Sequence, residues 1–286
     1  MKKLTDQILF DVIKPRPNDS FKGTYGKVTL VGGNRNFGGA IIMASTAAVC
    51  SGAGLVTTAT DPSNSGALHS QLPEAMFADF NNADQLASLV EPATTVVVGP
   101  GLGDDQTSLA ILKNVFDHTN EKQNVIIDGS AITLMAREDL AQPKGNITYT
   151  PHQMEWQRLS GIKIAEQSEE RNREAQAKLN ATVVLKKHHT EIYTNDDVYQ
   201  LTIGTPAQAV GGMGDTLAGM VGGFTAEFSK TPLKAVLAAV YAHSAVAEQI
   251  AKNQYIVLPH QISRSLPSFM KKMEGGQTEH QIGFLS

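Results

Sequence analysis

The sequence predicts an α/β protein built around a mostly parallel, doubly wound sheet. Short, continuous apolar runs of the kind buried in parallel sheets recur along the chain. Segments with helical periodicity alternate with these runs over most of the length, and glycine-rich turns follow several of them. In such folds ligands bind at the carboxyl ends of the strands, so the turns after the strands are where function is expected.

The first half of the chain supplies four strands of this pattern. Lys27–Val31 ends in a glycine pair, and Gly38-Gly39-Ala40 then opens a helix over Ile41–Ser51. The next predicted elements are strand Leu55–Thr60, helix 83–90, strand Thr94–Gly99, helix 105–119, strand Asn124–Asp128 and helix 130–137.

The second half adds a hairpin and closes with two long helices. The hairpin turns at Asn195-Asp196 and joins 190–194 to 197–203. The other predicted elements are strand Ile147–Thr150, helices 152–160 and 166–180, strand Thr182–Lys186, and helices 214–228 and 231–252. No internal repeat or linker interrupts the pattern, so a single domain over residues 1–286 is expected.

Composition and charge disfavour several classes of protein. The chain has 286 residues, of which 41% are hydrophobic, enough for a substantial core. Its net charge of −4 argues against a nucleic-acid partner, and no stretch is typical of a signal peptide or a membrane span. The single cysteine, Cys50, permits no internal disulfide. We therefore expect a cytoplasmic protein that binds neither nucleic acid nor membrane.

A glycine cluster with one carboxylate lies at the start of a late helix. Gly211, Gly212, Met213 and Gly214 are followed at once by Asp215. Glycines let backbone N–H groups approach an anion, and a helix N-terminus adds unpaired donors and a positive dipole end. A carboxylate repels phosphate but suits a base that takes a proton from a hydroxyl during phosphoryl transfer. We predict that the four residues form an anion hole and that Asp215 is the catalytic base, with helix capping as its alternative role.

Two other glycine turns have features of nucleotide motifs but fail their requirements. Gly33–Gly38 has the glycine spacing of a P-loop, but Gly39-Ala40 follows where Lys-Ser or Lys-Thr is required. Gly99–Gly103 ends a strand but lacks the dinucleotide spacing and contains Pro100. A Walker A site and a Rossmann dehydrogenase are therefore both disfavoured.

Three further strand ends carry polar candidates. His152 is a candidate ligand contact and Glu155 a candidate cation contact, with helix capping as the alternative. Lys186 either reaches a nucleotide phosphate or belongs to a solvated turn, and Asp128 is either a helix cap or part of the polar floor of a site. The adjacent histidines after Lys187 would point to opposite sides of an extended chain, so no metal ligands are assigned.

The order of these motifs along the chain is itself informative. The set comprises Val31-Gly32-Gly33, Asn36-Phe37-Gly38-Gly39-Ala40, Gly52-Ala53-Gly54-Leu55-Val56, Val98-Gly99-Pro100-Gly101-Leu102-Gly103, Thr150-Pro151-His152, Val184-Leu185-Lys186 and Gly211–Gly219. Over residues 20 to 250 it resembles the ADP-dependent NAD(P)H-hydrate dehydratases of the ribokinase-like superfamily. The resemblance implies a ribokinase-like three-layer α/β/α fold with a mostly parallel central sheet.

The resemblance implies an enzyme of nicotinamide-nucleotide repair, a hydro-lyase. Members of this family dehydrate the S epimer of NADH or NADPH hydrated at C6 of the nicotinamide ring, while ADP becomes AMP. The hydroxyl is first phosphorylated, so that phosphate leaves in place of water, which is a poorer leaving group. ADP is then a co-substrate and Mg²⁺ the expected cofactor. The epimerase domain fused to many relatives has no counterpart in the sequence, so a separate NAD(P)H-hydrate epimerase is expected for the R form.

Carried over residue by residue, the family pattern assigns two sets of contacts. The hydrated nicotinamide nucleotide would contact Ala40, Gly103, His152 and Asp215. AMP or ADP would contact Lys186, Lys187, His188, His189, Thr190 and Gly214. The resemblance also suggests a homo-oligomer, a tetramer. The small-residue helices Ala40–Ser51 and Ala235–Ala251 fit either a subunit interface or an intrachain core.

Three departures separate this chain from the usual family pattern. Met213 stands where Thr or Ser is common, Gln153-Met154-Glu155 stands where Pro-Gly-Glu follows the histidine, and Lys187 stands where glycine follows Lys186. Met213 cannot donate a hydroxyl hydrogen bond, and Lys187 adds bulk beside the adenylate contacts. Preferences between ADP and ATP and between the NADH and NADPH hydrates are therefore left open.

Two other functions use the same residues. A kinase of the same superfamily that acts on a vitamin precursor would need the same anion hole and base, but it would release its phosphorylated product. A non-catalytic nucleotide-binding sensor would need only the pocket, and intact Gly214 and Asp215 argue against it.

Overall fold

The computed structural model describes residues 1–275, within which ten strands form one continuous sheet. The order across the sheet is β1-β10-β9-β8-β7-β6-β5-β2-β3-β4, and only β9 runs antiparallel to its neighbours. The predicted mostly parallel sheet is confirmed. The strands are β1 (Lys2–Leu4), β2 (Lys27–Val31), β3 (Leu55–Thr60), β4 (Met76–Asp79), β5 (Thr95–Val98), β6 (Asn124–Ile127), β7 (Asn146–Tyr149), β8 (Thr182–Leu185), β9 (Glu191–Tyr193) and β10 (Val198–Leu201).

Helices cover both faces of this sheet, which gives the three layers expected from the sequence. One apolar cluster joins the sheet to α1, α2, α9, α10 and α11, and a second joins it to α4 through α8. No helix within residues 1–275 is both long and apolar enough to cross a membrane. The helices are α1 (Gln7–Val12), α2 (Gly38–Cys50), α3 (Ser65–Gln71), α4 (Ala83–Val90), α5 (Gln106–Asp117), α6 (Gly129–Glu138), α7 (Gln153–Ser160), α8 (Glu169–Leu179), α9 (Met213–Glu227), α10 (Pro232–Ala251) and α11 (Pro259–Met273).

Helices α2 and α9 pack with their backbones in close contact. A Cβ atom on Gly219 would lie 2.0 Å from the carbonyl oxygen of Ala44, and one on Gly223 would lie 2.7 Å from that of Ala48. Only glycine allows helices to approach this closely. The small residues of α2 therefore pack within the chain. Those of α10 also belong to the intrachain core, where Ala235, Ala239 and Ala242 are fully buried.

The structure also contains elements that the sequence reading did not predict. The hairpin of β9 and β10 is confirmed, but β1 beside it, β4 at the opposite edge, and helices α1, α3 and α11 were missed. Both missed strands lie at sheet edges and have only three and four residues. Helix α11 has Pro267 inside it, a residue that normally ends a helical pattern.

Candidate functional site

The sheet order places the ends of β2, β5, β6, β7 and β8 side by side at one edge. Backbone hydrogen bonds connect the turns that follow them. The N–H of Gly33 donates to the carbonyl of Pro100 at 2.8 Å, and the N–H of Lys186 donates to that of Pro151 at 2.8 Å. Gly103 donates its N–H to the hydroxyl of Ser130 at 3.2 Å. The candidate residues after these strands therefore form one row.

Helix α9 points its N-terminus at this row. It begins at Met213, and Gly212 before it has φ of +94°, in the left-handed region that favours glycine. Asp215 lies in the first turn, and no side chain caps the helix. The N-cap residue, Gly212, has no side chain, so it supplies no cap to the N–H groups of the first turn, and the Asp215 carboxylate accepts a hydrogen bond from its own N–H.

A lysine and an aspartate form a buried ion pair beside this helix. Lys186 Nζ lies 2.8 Å from Oδ1 of Asp128, and the two side chains are 20% and 3% exposed. Thr150 donates its hydroxyl to the same Asp128 oxygen at 2.7 Å. A Cβ on Gly214 would lie 3.0 Å from Lys186 Nζ, so the glycine allows the ammonium to approach the helix N-terminus. Asp128 thus belongs to the polar floor of the site, and Lys186 is not in a solvated turn.

The charges around Asp215 change its proton affinity. The pKa of Asp215 is raised to about 6, chiefly by burial and also by like-charge repulsion from Asp128 and Glu155, while Lys186 lowers it. Burial lowers the pKa of Lys186, but the carboxylates of Asp128 and Glu155 outweigh this effect, so its pKa lies above the ordinary value. An ionised Asp215 with a raised pKa is a stronger base than an ordinary carboxylate.

Turnover is expected to rise with pH through the titration of Asp215. As the predicted base, Asp215 must be ionised to accept a proton, so kcat/KM should fall as the pH drops below about 6 and level off above it. The measurement is kcat/KM against pH, with the affinity for AMP recorded at each pH because the nucleotide phosphate also titrates near this range. A profile that only follows AMP affinity would contradict a titrating base.

His152 caps helix α7, and Glu155 completes the cap. Nδ1 of His152 accepts hydrogen bonds from the N–H groups of Met154 and Glu155 at 3.1 Å each, and the Glu155 carboxylate accepts one from the His152 N–H at 2.8 Å. Nδ1 is an acceptor, so a neutral His152 carries its proton on Nε2, which lies 3.3 Å from Oε1 of Glu155. The ring is about half exposed. Capping and ligand contact are therefore compatible, because different nitrogens serve them.

A cavity of about 650 Å³ opens between the turn after β8 and helices α9 and α10. All six residues assigned to AMP or ADP line it, and Met213 joins them. The rings of His188 and His189 lie 3.9 Å apart, so the expectation that they point to opposite sides is wrong. His189 has φ of +59°, which breaks the extended conformation on which that expectation depended.

Ala40, in the first turn of α2 after β2, and Gly103, in the turn after β5, lie toward the other end of the row. A Cβ on Gly101 would lie 2.9 Å from that of Ala40, and Gly103 has φ of +91° and faces the amide of Asn34. The structure thus brings Ala40 and Gly103 into one neighbourhood and the six nucleotide candidates into another. In the strand order, Asp128 after β6 lies between the nucleotide candidates after β8 and the turns after β5 and β2.

Comparison with known proteins identifies the family. The sequence profile of the NAD(P)H-hydrate dehydratases matches residues 28–268. The chain belongs to this family. One relative, an ADP-dependent (S)-NAD(P)H-hydrate dehydratase of Lactiplantibacillus plantarum, is 51% identical to this chain. The alignment covers 95% of this chain and 98% of the relative. A protein of the same name from Enterococcus faecalis is 47% identical, and the alignment covers 95% of this chain and 94% of that protein.

Solved structures agree with this assignment. A ribokinase-like superfamily protein of Enterococcus faecalis superposes with a TM-score of 0.93 at 47% identity, over 96% of each chain. The ADP/ATP-dependent NAD(P)H-hydrate dehydratase of Bacillus subtilis, co-crystallized with ATP and Mg²⁺, gives 0.86 at 30% identity over 96% of this chain and 99% of its own. The ribokinase-like fold of this family member is confirmed.

Some residues of the site gave no signal in the sequence. Gln208 and His243 line the cavity, and burial lowers the pKa of His243 to about 4, so the ring is neutral. No motif marks either residue. The other cavity residues not predicted as contacts are Ile203, Gly204, Thr205, Pro206, Ala209, Leu217, Val240 and Ser244.

The carboxylates of the site do not form a complete metal cage. Within residues 1–275, no group of three or more His, Cys, Asp or Glu side chains is arranged to hold a metal ion. Mg²⁺ typically keeps several waters and binds through one or two carboxylates plus substrate phosphates. The carboxylates of this family member therefore fit a Mg²⁺ ion that enters with the nucleotide. Asp128 and Glu155, whose charges act on Lys186 and Asp215, are the candidate carboxylate ligands.

Proposed function

We propose that this protein is an ADP-dependent (S)-NAD(P)H-hydrate dehydratase, which restores NADH and NADPH from their C6 hydrates while ADP becomes AMP and phosphate. The observation that carries the proposal is the position of Asp215. This carboxylate with a raised pKa lies in the first turn of α9, directly after Gly214 in the wall of a nucleotide-sized cavity, and its charge interacts with Asp128 and Lys186 after β6 and β8. The names of the relatives from Lactiplantibacillus and Enterococcus support the same activity.

In the first step, Asp215 takes the proton of the C6 hydroxyl as the oxygen attacks the terminal phosphorus of ADP. A new O–P bond forms, the bond to the AMP phosphate oxygen breaks, and AMP leaves with its electron pair. The backbone N–H groups of the anion hole, Gly211, Gly212, Met213 and Gly214, hold the transferring phosphoryl group at the positive end of α9. Lys186 offsets its charge from the other side.

In the second step, the C6–O bond breaks and phosphate leaves with the bonding electrons. The ring nitrogen supplies electron density to C6, and transfer of a proton from C5 to the departing phosphate leaves its C–H electrons to form the C5–C6 double bond. Phosphorylation makes this step feasible because phosphate is a far better leaving group than hydroxide. The chain contributes by holding the ring in place, with Ala40, Gly103 and His152 as the proposed contacts.

Bound Mg²⁺ would neutralise charge on the phosphates during the transfer. The structure of the Bacillus subtilis relative was obtained with ATP and Mg²⁺, which supports this cofactor. Lys186, Lys187, His188, His189, Thr190 and Gly214 are the proposed contacts of ADP or AMP.

Four further assignments extend the proposal. We place the activity in one ribokinase-like domain over residues 1–286, in the cytoplasm, in a homo-oligomer that is a tetramer. A separate NAD(P)H-hydrate epimerase would supply the S epimer from the R form. A bifunctional NAD(P)H-hydrate repair enzyme of Coxiella burnetii supports this pairing, because the chain is 36% identical to it and covers about half of its length.

The proposal is tested by mixing the purified protein with hydrated NADH, Mg²⁺ and either ADP or ATP. Recovery of the near-ultraviolet absorbance of the dihydronicotinamide ring, dependent on a nucleotide, is the expected result. The nucleotide that gives the higher kcat/KM identifies the phosphoryl donor. Folded protein that binds AMP but restores no absorbance with either nucleotide would overturn the proposal and favour a vitamin-precursor kinase.

The role of His152 has its own test. Asn at this position keeps an acceptor for the helix cap but removes the imidazole Nε2. His152→Asn is expected to raise KM for the hydrate at least about threefold, with AMP affinity and Tm little changed. His152→Ala should in addition lose about 1 kcal/mol of stability through the cap. Equal losses of hydrate and AMP binding in His152→Asn would refute a specific contact.

A further inference from the structure

An ion pair lies in the wall of the nucleotide cavity. Nζ of Lys187 is 2.8 Å from Oε1 of Glu191, and the side chains are 25% and 5% exposed. Lys187 lines the cavity, whereas Glu191, the first residue of β9, is not among the lining residues. The lysine therefore presents its charge to the cavity, and the glutamate neutralises that charge from behind.

Buried hydrogen bonds hold Glu191 in place. The Tyr193 hydroxyl donates to Oε2 of Glu191 at 2.7 Å, and Asn172 Nδ2 donates to the Tyr193 oxygen at 3.1 Å. Trp156 Nε1 in turn donates to Oδ1 of Asn172 at 2.8 Å. Tyr193, Asn172 and Trp156 are fully buried. Glu191 therefore cannot turn away from Lys187 without breaking a network that is costly to leave unsatisfied.

The result is a cavity whose lysines are both paired. Among its lining residues the lysines are Lys186 and Lys187, and there is no arginine. Asp128 pairs with the first and Glu191 with the second. A paired cation attracts an added phosphate less than a free one does, because the partner carboxylate repels that phosphate. The penalty grows with the charge of the nucleotide.

We propose that the Lys187–Glu191 pair sets the preference of this site for a nucleoside diphosphate over the more highly charged triphosphate. The inference rests on the proposed function of the cavity. Lys187 is the specificity-determining residue, and Glu191 is a positioning residue that acts through it.

Substitution of Glu191 and substitution of Lys187 are expected to change the ratio of ATP affinity to ADP affinity in opposite directions. Glu191→Gln keeps the acceptor for Tyr193 but removes the negative charge, which frees Lys187 for phosphate. The ratio of ATP affinity to ADP affinity should rise roughly three- to tenfold. Lys187→Met removes the positive charge from the cavity wall and leaves the Glu191 carboxylate behind it without a cation, so the same ratio should fall by a similar factor. The double variant, with neither charge, should return close to the wild-type ratio.

The measurement is the dissociation constant of AMP, ADP and ATP for each variant by calorimetry, without Mg²⁺, so that the nucleotide charges are not neutralised. Tyr193→Phe is the structural control, because it removes a hydrogen bond of Glu191 and no charge. It should lower Tm and leave the ratio unchanged.

Three results would overturn the inference. These are an unchanged ratio in both single variants, changes of the same sign in both, or an effect of Glu191→Gln that persists in the Lys187→Met background. If Glu191→Gln does not fold, Lys187→Met alone decides, because its ratio must fall. Failure of hydrate turnover in the wild type would refute the proposed function but would leave these binding constants interpretable.

Discussion

Asp215→Asn is expected to lose nearly all turnover and to gain stability. Asn is close in size but cannot accept the hydroxyl proton, so kcat should fall by roughly a thousandfold. The folded protein raises the pKa of Asp215 from 3.8 to about 6, so ionisation of this group costs stability as the pH rises through that interval. Removing the charge should increase the free energy of unfolding above pH 6 by about 1–2 kcal/mol, fully present there and fading toward pH 4.

The combination of results separates catalysis from folding. The measurements are kcat, AMP affinity and the unfolding free energy of both proteins on either side of the interval. Loss of AMP binding together with turnover would make Asp215 a structural residue. Asp104→Asn is the matched control, because this aspartate is exposed and belongs to none of the proposed contacts.

Lys186→Met is expected to damage both nucleotide binding and stability. The substitution removes the ammonium beside Gly214, and AMP affinity should fall more than about tenfold. It also leaves the buried Asp128 carboxylate without its cation, which costs about 3–5 kcal/mol. AMP titration and denaturant unfolding measure the two losses.

A second substitution distinguishes these two losses. In Lys186→Met with Asp128→Asn, both charges of the ion pair are removed, and Asn still accepts the hydrogen bond from Thr150. Stability should largely return while AMP affinity stays low. Recovery of both would show that Lys186 acts only as the counter-ion of Asp128, against its proposed role as a phosphate contact.

Local pattern was sufficient for most of the fold but not for its edges. Strand Lys27–Val31 has the bounds predicted from its apolar run, and the helix predicted at 214–228 begins one residue earlier. Strand β1 has three residues and depends on pairing with β10, a contact between the N-terminal residues and a strand in the second half of the chain that no local pattern contains. Helix α11 was missed because Pro267 interrupts its pattern, although the helix continues through it.

In the candidate site, too, the features carried by local sequence were predicted and those that depend on contacts between distant residues were not. Glycines followed by a carboxylate predict an anion hole and a base from chemistry alone. The pairing of Lys186 with Asp128 joins residues 58 positions apart, and its existence depends on the adjacency of strand ends in three dimensions. The close approach of the His188 and His189 rings depends on one positive φ at His189 that nothing in the sequence required.

The glycine contacts between α2 and α9 have a consequence for how the two substrates meet. Gly219 lies against Ala44 and Gly223 against Ala48, so the helices run in the same direction and both begin at the site. One carries Ala40 and the other carries Gly212 and Asp215. Because the two backbones are in contact, neither helix can slide without a steric clash. The distance between Ala40, the proposed contact of the nicotinamide ring, and Asp215, the proposed base, is therefore fixed. Under the proposed function, substrates would be selected by whether their reacting atoms match this fixed distance. Motion during the reaction would be confined to the loops around the N-termini of the two helices.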